Sequence, residues 1–182
     1  MQDLIIYFNL FLLMFSNGFI SFPSSQLIYL SLGYILKEKT YLEVFCYIFI
    51  GAAGNALGNY FLFYIFKYKK DFFKKYIEKY LKVSFEKIES YREKAGKHLF
   101  YIVFTGKLIP SIKVFIPILA AFFDMKRSLA FIAFLLGSIV WGIILTFIGY
   151  YFGKSFDLKT FFICLLVIYL VIGFAFKAKS RK

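Results

Sequence analysis

The sequence predicts an all-α polytopic membrane protein built as an inverted repeat, each half a re-entrant helical hairpin followed by a transmembrane helix, with a further transmembrane helix at the C-terminus. Three observations lead there. Hydrophobic residues fill 61% of the 182 positions and the mean hydropathy is +0.72, against an apolar share of roughly 45–50% in soluble domains. The charged residues gather in a central stretch and at the C-terminus, which leaves apolar runs of about 20 residues, the length that crosses a bilayer. Two of those runs are interrupted by proline and polar side chains, and broken backbone at membrane depth is tolerated only where it is buried in protein or lines a wet cavity.

The whole chain, 1–182, reads as a single membrane domain. Its first apolar segment, 4–36, holds Ser16, Asn17, Gly18, Pro23, Ser24, Ser25 and Gln26 at its centre, so a straight helix is not expected there. Asp3 stands where a signal peptide would need positive charge, and this segment is expected to stay in the mature protein. Segment 41–66 is long enough to span, and its Gly51, Gly54 and Gly58 recur at helical spacing, as small residues do where membrane helices approach closely. The stretch 67–98 alternates Lys with Glu and repeats apolar residues at three- and four-residue steps, the pattern of an amphipathic helix on a membrane surface. Segment 99–123 is apolar but broken by Gly106, Lys107, Pro110, Ser111, Lys113 and Pro117. An unbroken span over 128–153 carries Gly137, Trp141 and Gly142, and a last span over 158–176 precedes a basic tail.

Charge decides how these segments are threaded. The formal net charge is +13 and the pI about 9.6, which in a membrane protein reflects basic cytoplasmic loops and anionic lipid rather than nucleic acid. If 99–123 crossed the bilayer, Lys126, Arg127 and the C-terminal tail would all lie outside. If it enters and returns, they share the cytoplasmic side with 67–98, in keeping with the positive-inside rule. The second arrangement is preferred. It makes the two halves, each a broken segment, a charged turn and a glycine-bearing span, run in opposite directions, a plan that in transporters puts the substrate where the breaks meet.

Few residues offer chemistry. A lysine at the bilayer centre costs about 2.5–3.5 kcal/mol on insertion scales, so Lys107 and Lys113, six residues apart, either reach back to the interface or present two cations to an anionic group such as phosphate. Ser24, Ser25, Gln26 and Asn17 either orient a headgroup or satisfy freed backbone. Asn55 and Asn59 are set either to hydrogen-bond between helices or to face a cavity. Pro23, Pro110, Pro117, Gly106, Gly54, Gly58, Asn59, Gly137 and Trp141 are expected to shape the breaks and the packing. No nucleophile and base set, phosphate-cradling glycine loop or metal cluster stands out, so the expectation is a non-enzyme without cofactor or metal. Cys46 and Cys164 read as small hydrophobes.

The run Gly106-Lys107-Leu108-Ile109-Pro110-Ser111-Ile112-Lys113-Val114-Phe115-Ile116-Pro117, followed by Met125, Gly137 and Trp141, resembles the DedA family, also called the SNARE-associated or VTT-domain family. Its pattern there is G-R-x-x-P-x-x-R-x-x-x-P, then Met, Gly and Trp. Asn17-Gly18 through Pro23 and Gly54 to Asn59 are similar to its N-terminal elements. The resemblance implies a bacterial inner-membrane protein, multi-pass, with two oppositely facing hairpins and 67–98 and the C-terminus in the cytoplasm. It also implies a flippase- or scramblase-like role in lipid transport, with a polyprenyl phosphate such as undecaprenyl phosphate, or a phospholipid, as partner. A proton-coupled ion or drug antiporter serving membrane homeostasis, and a non-transporting assembly protein, are the alternatives. The chain is compatible with a homo-oligomer without specifying one. The family's two arginines fall on Lys107 and Lys113, which keeps the charge. Its two carboxylates fall on Ser16 and on Ser25 or Gln26, which removes the groups that would exchange protons with a gradient.

Overall fold

The computed structural model describes residues 2–69, 96–110 and 112–155, and every regular element among them is helical. Helices α1 (Gln2–Ile20), α2 (Ser25–Ile35) and α3 (Tyr41–Tyr68) form the first half. Helices α4 (Leu99–Lys107), α5 (Ile116–Phe122) and α6 (Arg127–Ser155) form the second, with a 3₁₀ turn at Gly96–His98. The surface segment expected over 67–98 and the span expected over 158–176 fall largely or wholly outside the described residues.

Helices α3 and α6, of 28 and 29 residues, reach about 40 Å at 1.5 Å per residue, enough to cross a hydrocarbon core of about 30 Å. Each shows an apolar stripe to the outside: Leu57, Phe61, Tyr64 and Tyr68 on α3, and Leu129, Ile132, Leu136, Ile144 and Ile148 on α6. Such stripes suit lipid rather than water. Thr40 and Glu43 start α3 with a reciprocal capping box, and Lys39 pairs with Glu43 at 3.0 Å. Glu43 is therefore committed to the end of the helix.

Ring and side-chain contacts fix the direction of packing. Tyr41 of α3 meets Phe147 and Tyr150 of α6, Asn55 meets Ser138, and Tyr60 and Phe63 meet Phe131 and Phe134. The two long helices are antiparallel. Helix α1 runs parallel to α3, since the Tyr7 ring contacts that of Tyr47 and the Phe19 ring that of Phe61. This interface is glycine-made: a Cβ on Gly18 would lie 2.3 Å from the Asn55 carbonyl oxygen, one on Gly54 2.4 Å from that of Phe11, and one on Gly58 2.2 Å from that of Phe15. Helix α2 lies along the C-terminal half of α6 in the same way, with Gly33 against the Thr146 carbonyl and Gly149 against that of Leu30. Being parallel to antiparallel partners, α1 and α2 run in opposite directions.

The chain reverses between them because Ser21 takes a left-handed φ of 60° that ends α1, and Pro23 follows. Between α4 and α5 it turns through residues 108–115, where Pro110 forbids a continued helix and Pro117 sits in the first turn of α5, where its missing N–H is harmless. A Cβ on Gly106 would come 2.3 Å from Ile116 Cδ1, so the two arms of this turn close on glycine. The arms, 9 and 7 residues long, are each too short to cross a bilayer. Phe122 at the end of α5 meets Phe66 edge to face, and Lys67 Nζ donates to the Met125 carbonyl at 2.6 Å. This pair of short helices thus opens toward the end of α3 opposite to the one at which α2 returns.

Two apolar clusters result. One joins Leu10, Met14, Tyr29, Leu32, Val44, Ile48 and Leu145. The other joins Phe63, Val103, Ile116, Ala120, Met125, Ala133 and Phe134. Each contains the two helices that flank one break, one end of α3 and one end of α6, and the polar residues lie between them.

Candidate functional site at the meeting of the two breaks

Near the midpoint of both long helices, Asn55 gathers the polar groups. Its Oδ1 accepts from Lys107 Nζ at 3.0 Å, Ser138 Oγ at 2.8 Å and Asn59 Nδ2 at 2.9 Å, while its Nδ2 donates to Asn17 Oδ1 at 2.8 Å. Asn17 Nδ2 in turn donates to the Pro23 carbonyl. One ladder of amides thus links α4, α6 and α3 to the break after α1. An amide oxygen has two lone pairs, so three donors crowd it. Lys107 is only 5% exposed; of the three N–H bonds of its ammonium, one meets this oxygen.

Lys113, in the turn after α4, reaches the other break. Its Nζ donates to Ser25 Oγ and, at 3.3 Å, to Gln26 Oε1, which Ser24 Oγ also approaches. The same ammonium lies 5.6 Å from the centre of the Trp141 ring, within cation–π range. Among the described residues no carboxylate pairs with either lysine, and Glu43 pairs with Lys39 at the start of α3. Among the described residues, the hydrogen-bond partners of both lysine side chains are neutral oxygens.

The lysines separate two clefts. One is lined by Ser25, Tyr29, Asn55, Lys107, Lys113, Gly137, Ser138 and Trp141. The other is lined by Asn17, Ser21, Asn55, Asn59, Lys107, Lys113 and Val114. Gly137 lets the Lys107 side chain pack against α6, since a Cβ there would sit 2.8 Å from Lys107 Cβ. Asn17, Ser24, Ser25, Gln26, Lys107 and Lys113 thus fall in one neighbourhood, with Asn59, Gly137 and Trp141. Gly54 and Gly58 sit apart, at the α1–α3 contact, and Pro117 is buried among apolar neighbours beside α3. Two central residues, Ser138 and Tyr29, were not singled out from sequence. Ser138 is a hydroxyl beside Gly137 near the middle of an apolar span, which is a usable signal; Tyr29 is one of 15 tyrosines and carries none.

Fold and site together define a helical membrane protein whose two broken segments bring their polar turns into contact midway along two antiparallel spans. Among known families, residues 22–151 match the VTT domain. That is well over half of the chain, which belongs to this family, the DedA or SNARE-associated group. No curated protein and no solved structure matches the chain.

Proposed function

We propose that this protein carries a phosphate-headgroup lipid, a polyprenyl phosphate or a phospholipid, across a bacterial inner membrane, its two hairpins entering from opposite faces as an inverted repeat. The observation that carries the reading is the pair Lys107 and Lys113, held between two clefts without a carboxylate partner among the described residues. A buried cation lacking an anion is costly, and an anionic headgroup relieves that cost in proportion to its charge. The headgroup enters one cleft and is held by the two ammonium groups, with Ser24, Ser25 and Gln26 supplying polar contacts. It leaves through the other cleft while its tail stays in lipid. Because Lys113 is tied to Ser25 and Gln26 across the two breaks, passage requires those contacts to exchange for contacts with the headgroup.

The equivalence of the halves supports the repeat. In each, the helix before the break packs on its own long helix and the one after it on the long helix of the other half. In this reading 67–98 and the C-terminus lie in the cytoplasm, which the positive-inside rule supports. The test is reconstitution in liposomes carrying labelled polyprenyl phosphate or labelled phospholipid in one leaflet. The intact protein is expected to speed equilibration above protein-free liposomes, and inserted Lys107→Ala and Lys113→Ala variants to lose most of that gain. Unchanged rates in both variants would remove the lysines from the mechanism.

A further inference from the structure

Two further donors face the first cleft with no partner. Tyr29 is 1% exposed, and its hydroxyl is buried without a hydrogen bond; the indole Nε1 of Trp141 is likewise buried and unbonded. A native fold leaves few such groups orphaned, because each costs about 1–3 kcal/mol. Both residues line the cleft that holds Lys107 and Lys113.

Tyr29 is also placed by construction. Its ring sits in a slot cut by two glycines, since a Cβ on Gly51 of α3 would lie 3.4 Å from its hydroxyl and one on Gly142 of α6 2.9 Å from its Cζ. Gly51 is one turn before Asn55 on α3, so the hydroxyl lies a turn away from the amide that holds Lys107. Apolar packing alone would be served as well by phenylalanine, and 27 phenylalanines show that the chain uses it freely.

We infer that Tyr29 and Trp141 are ligand contacts, donating the hydroxyl and the indole N–H to the oxygens of the same phosphate that Lys107 and Lys113 neutralise. This rests on the reading of the site as a phosphate site. The cleft then offers two cationic and two neutral donors, and the oxygens of a phosphate supply the acceptors that the protein withholds. Trp141 serves twice, presenting its ring face to Lys113 and its N–H to the ligand.

The only tryptophan of the chain lies in this cleft, so its emission reports occupancy. Purified full-length protein in detergent is titrated with farnesyl phosphate and, separately, with inorganic phosphate. The first arm alone saturating indicates a lipid headgroup, and both saturating alike indicates the phosphate ion itself. In whichever arm binds, Tyr29→Phe is expected to weaken affinity about tenfold, as loss of a hydrogen bond to a charged group does. Its thermal midpoint should stay equal or rise, because an orphaned hydroxyl contributes nothing to the unliganded fold. Trp141→Phe, followed by calorimetry, keeps a ring beneath Lys113 and should also weaken binding. Binding by Tyr29→Phe and Trp141→Phe equal to the intact protein, with Lys113→Ala still impaired, overturns this assignment and spares the phosphate site. No saturation by the intact protein in either arm, or none of it dependent on Lys113, overturns both.

Discussion

At the scale of single residues, the structure turns on one amide. Asn55 Oδ1 is the acceptor for Lys107 and for two neutral donors, so its replacement strands a buried ammonium, whereas loss of one neutral donor leaves the others in place. Asn55→Leu is therefore expected to destabilise by roughly 3–5 kcal/mol, the cost of breaking a buried charge contact. Ser138→Ala should cost about 0.5–1.5 kcal/mol, that of an ordinary hydrogen bond. Thermal unfolding of both variants in one detergent checks the order, and equal losses would contradict the hub. The sequence made the lysines visible because charge in an apolar run is expensive, and it left the role of the two asparagines open between interhelical bonding and cavity lining. The structure gives Asn55 both roles, bonded to Asn17, Lys107 and Ser138 on three other helices and lining both clefts, whereas Asn59 bonds to Asn55 one turn away on the same helix and lines one cleft. Tyr29 was illegible because a hydroxyl on an aromatic ring in an apolar helix costs nothing until its neighbours are known.

At the scale of elements, close approach is written in glycine. Gly58 allows the backbone of α1 within a distance that no Cβ permits, while Gly51 faces only side-chain atoms, at 3.3 Å and beyond. Gly58→Ala should cost on the order of 1–3 kcal/mol through enforced separation, and Gly51→Ala clearly less, measured as the fraction of folded protein surviving graded heating. The spacing of Gly51, Gly54 and Gly58 was readable as a packing face, but its partner was not. Spacing along one chain does not say which helix approaches, and α1 could be assigned only once Gly18 was seen against Asn55. Both breaks were legible through Pro23, Pro110 and the polar residues around them. That Lys113 of one break bonds to Ser25 and Gln26 of the other, across 87 and 88 positions of sequence, was not, because no local pattern encodes so distant a contact.

At the scale of the whole molecule, the antiparallel spans and the two broken helix pairs make the ends of the molecule inequivalent. Thr40 and the C-terminal part of α6 lie at one end, Lys67 and Met125 at the other. With the proposed topology, a cysteine at Lys39 reacts with an impermeant maleimide from outside intact cells and one at Lys126 does not. Labelling of Lys126→Cys from outside would remove the hairpin topology. The apolar content announced the membrane from sequence alone, while the helix pairing needed side-chain contacts.

The central claim is that positive charge at the meeting of the two breaks carries an anionic headgroup, and a charge series in one liposome preparation tests it most directly. Lys107→Arg and Lys113→Arg together keep both charges, and Lys107→Gln and Lys113→Gln together keep polarity and much of the length without them. The account predicts that the arginine pair moves labelled polyprenyl phosphate or phospholipid within a few-fold of the intact protein, while the glutamine pair falls to the protein-free rate. Lipid movement by the inserted and folded glutamine pair at the intact rate would contradict it.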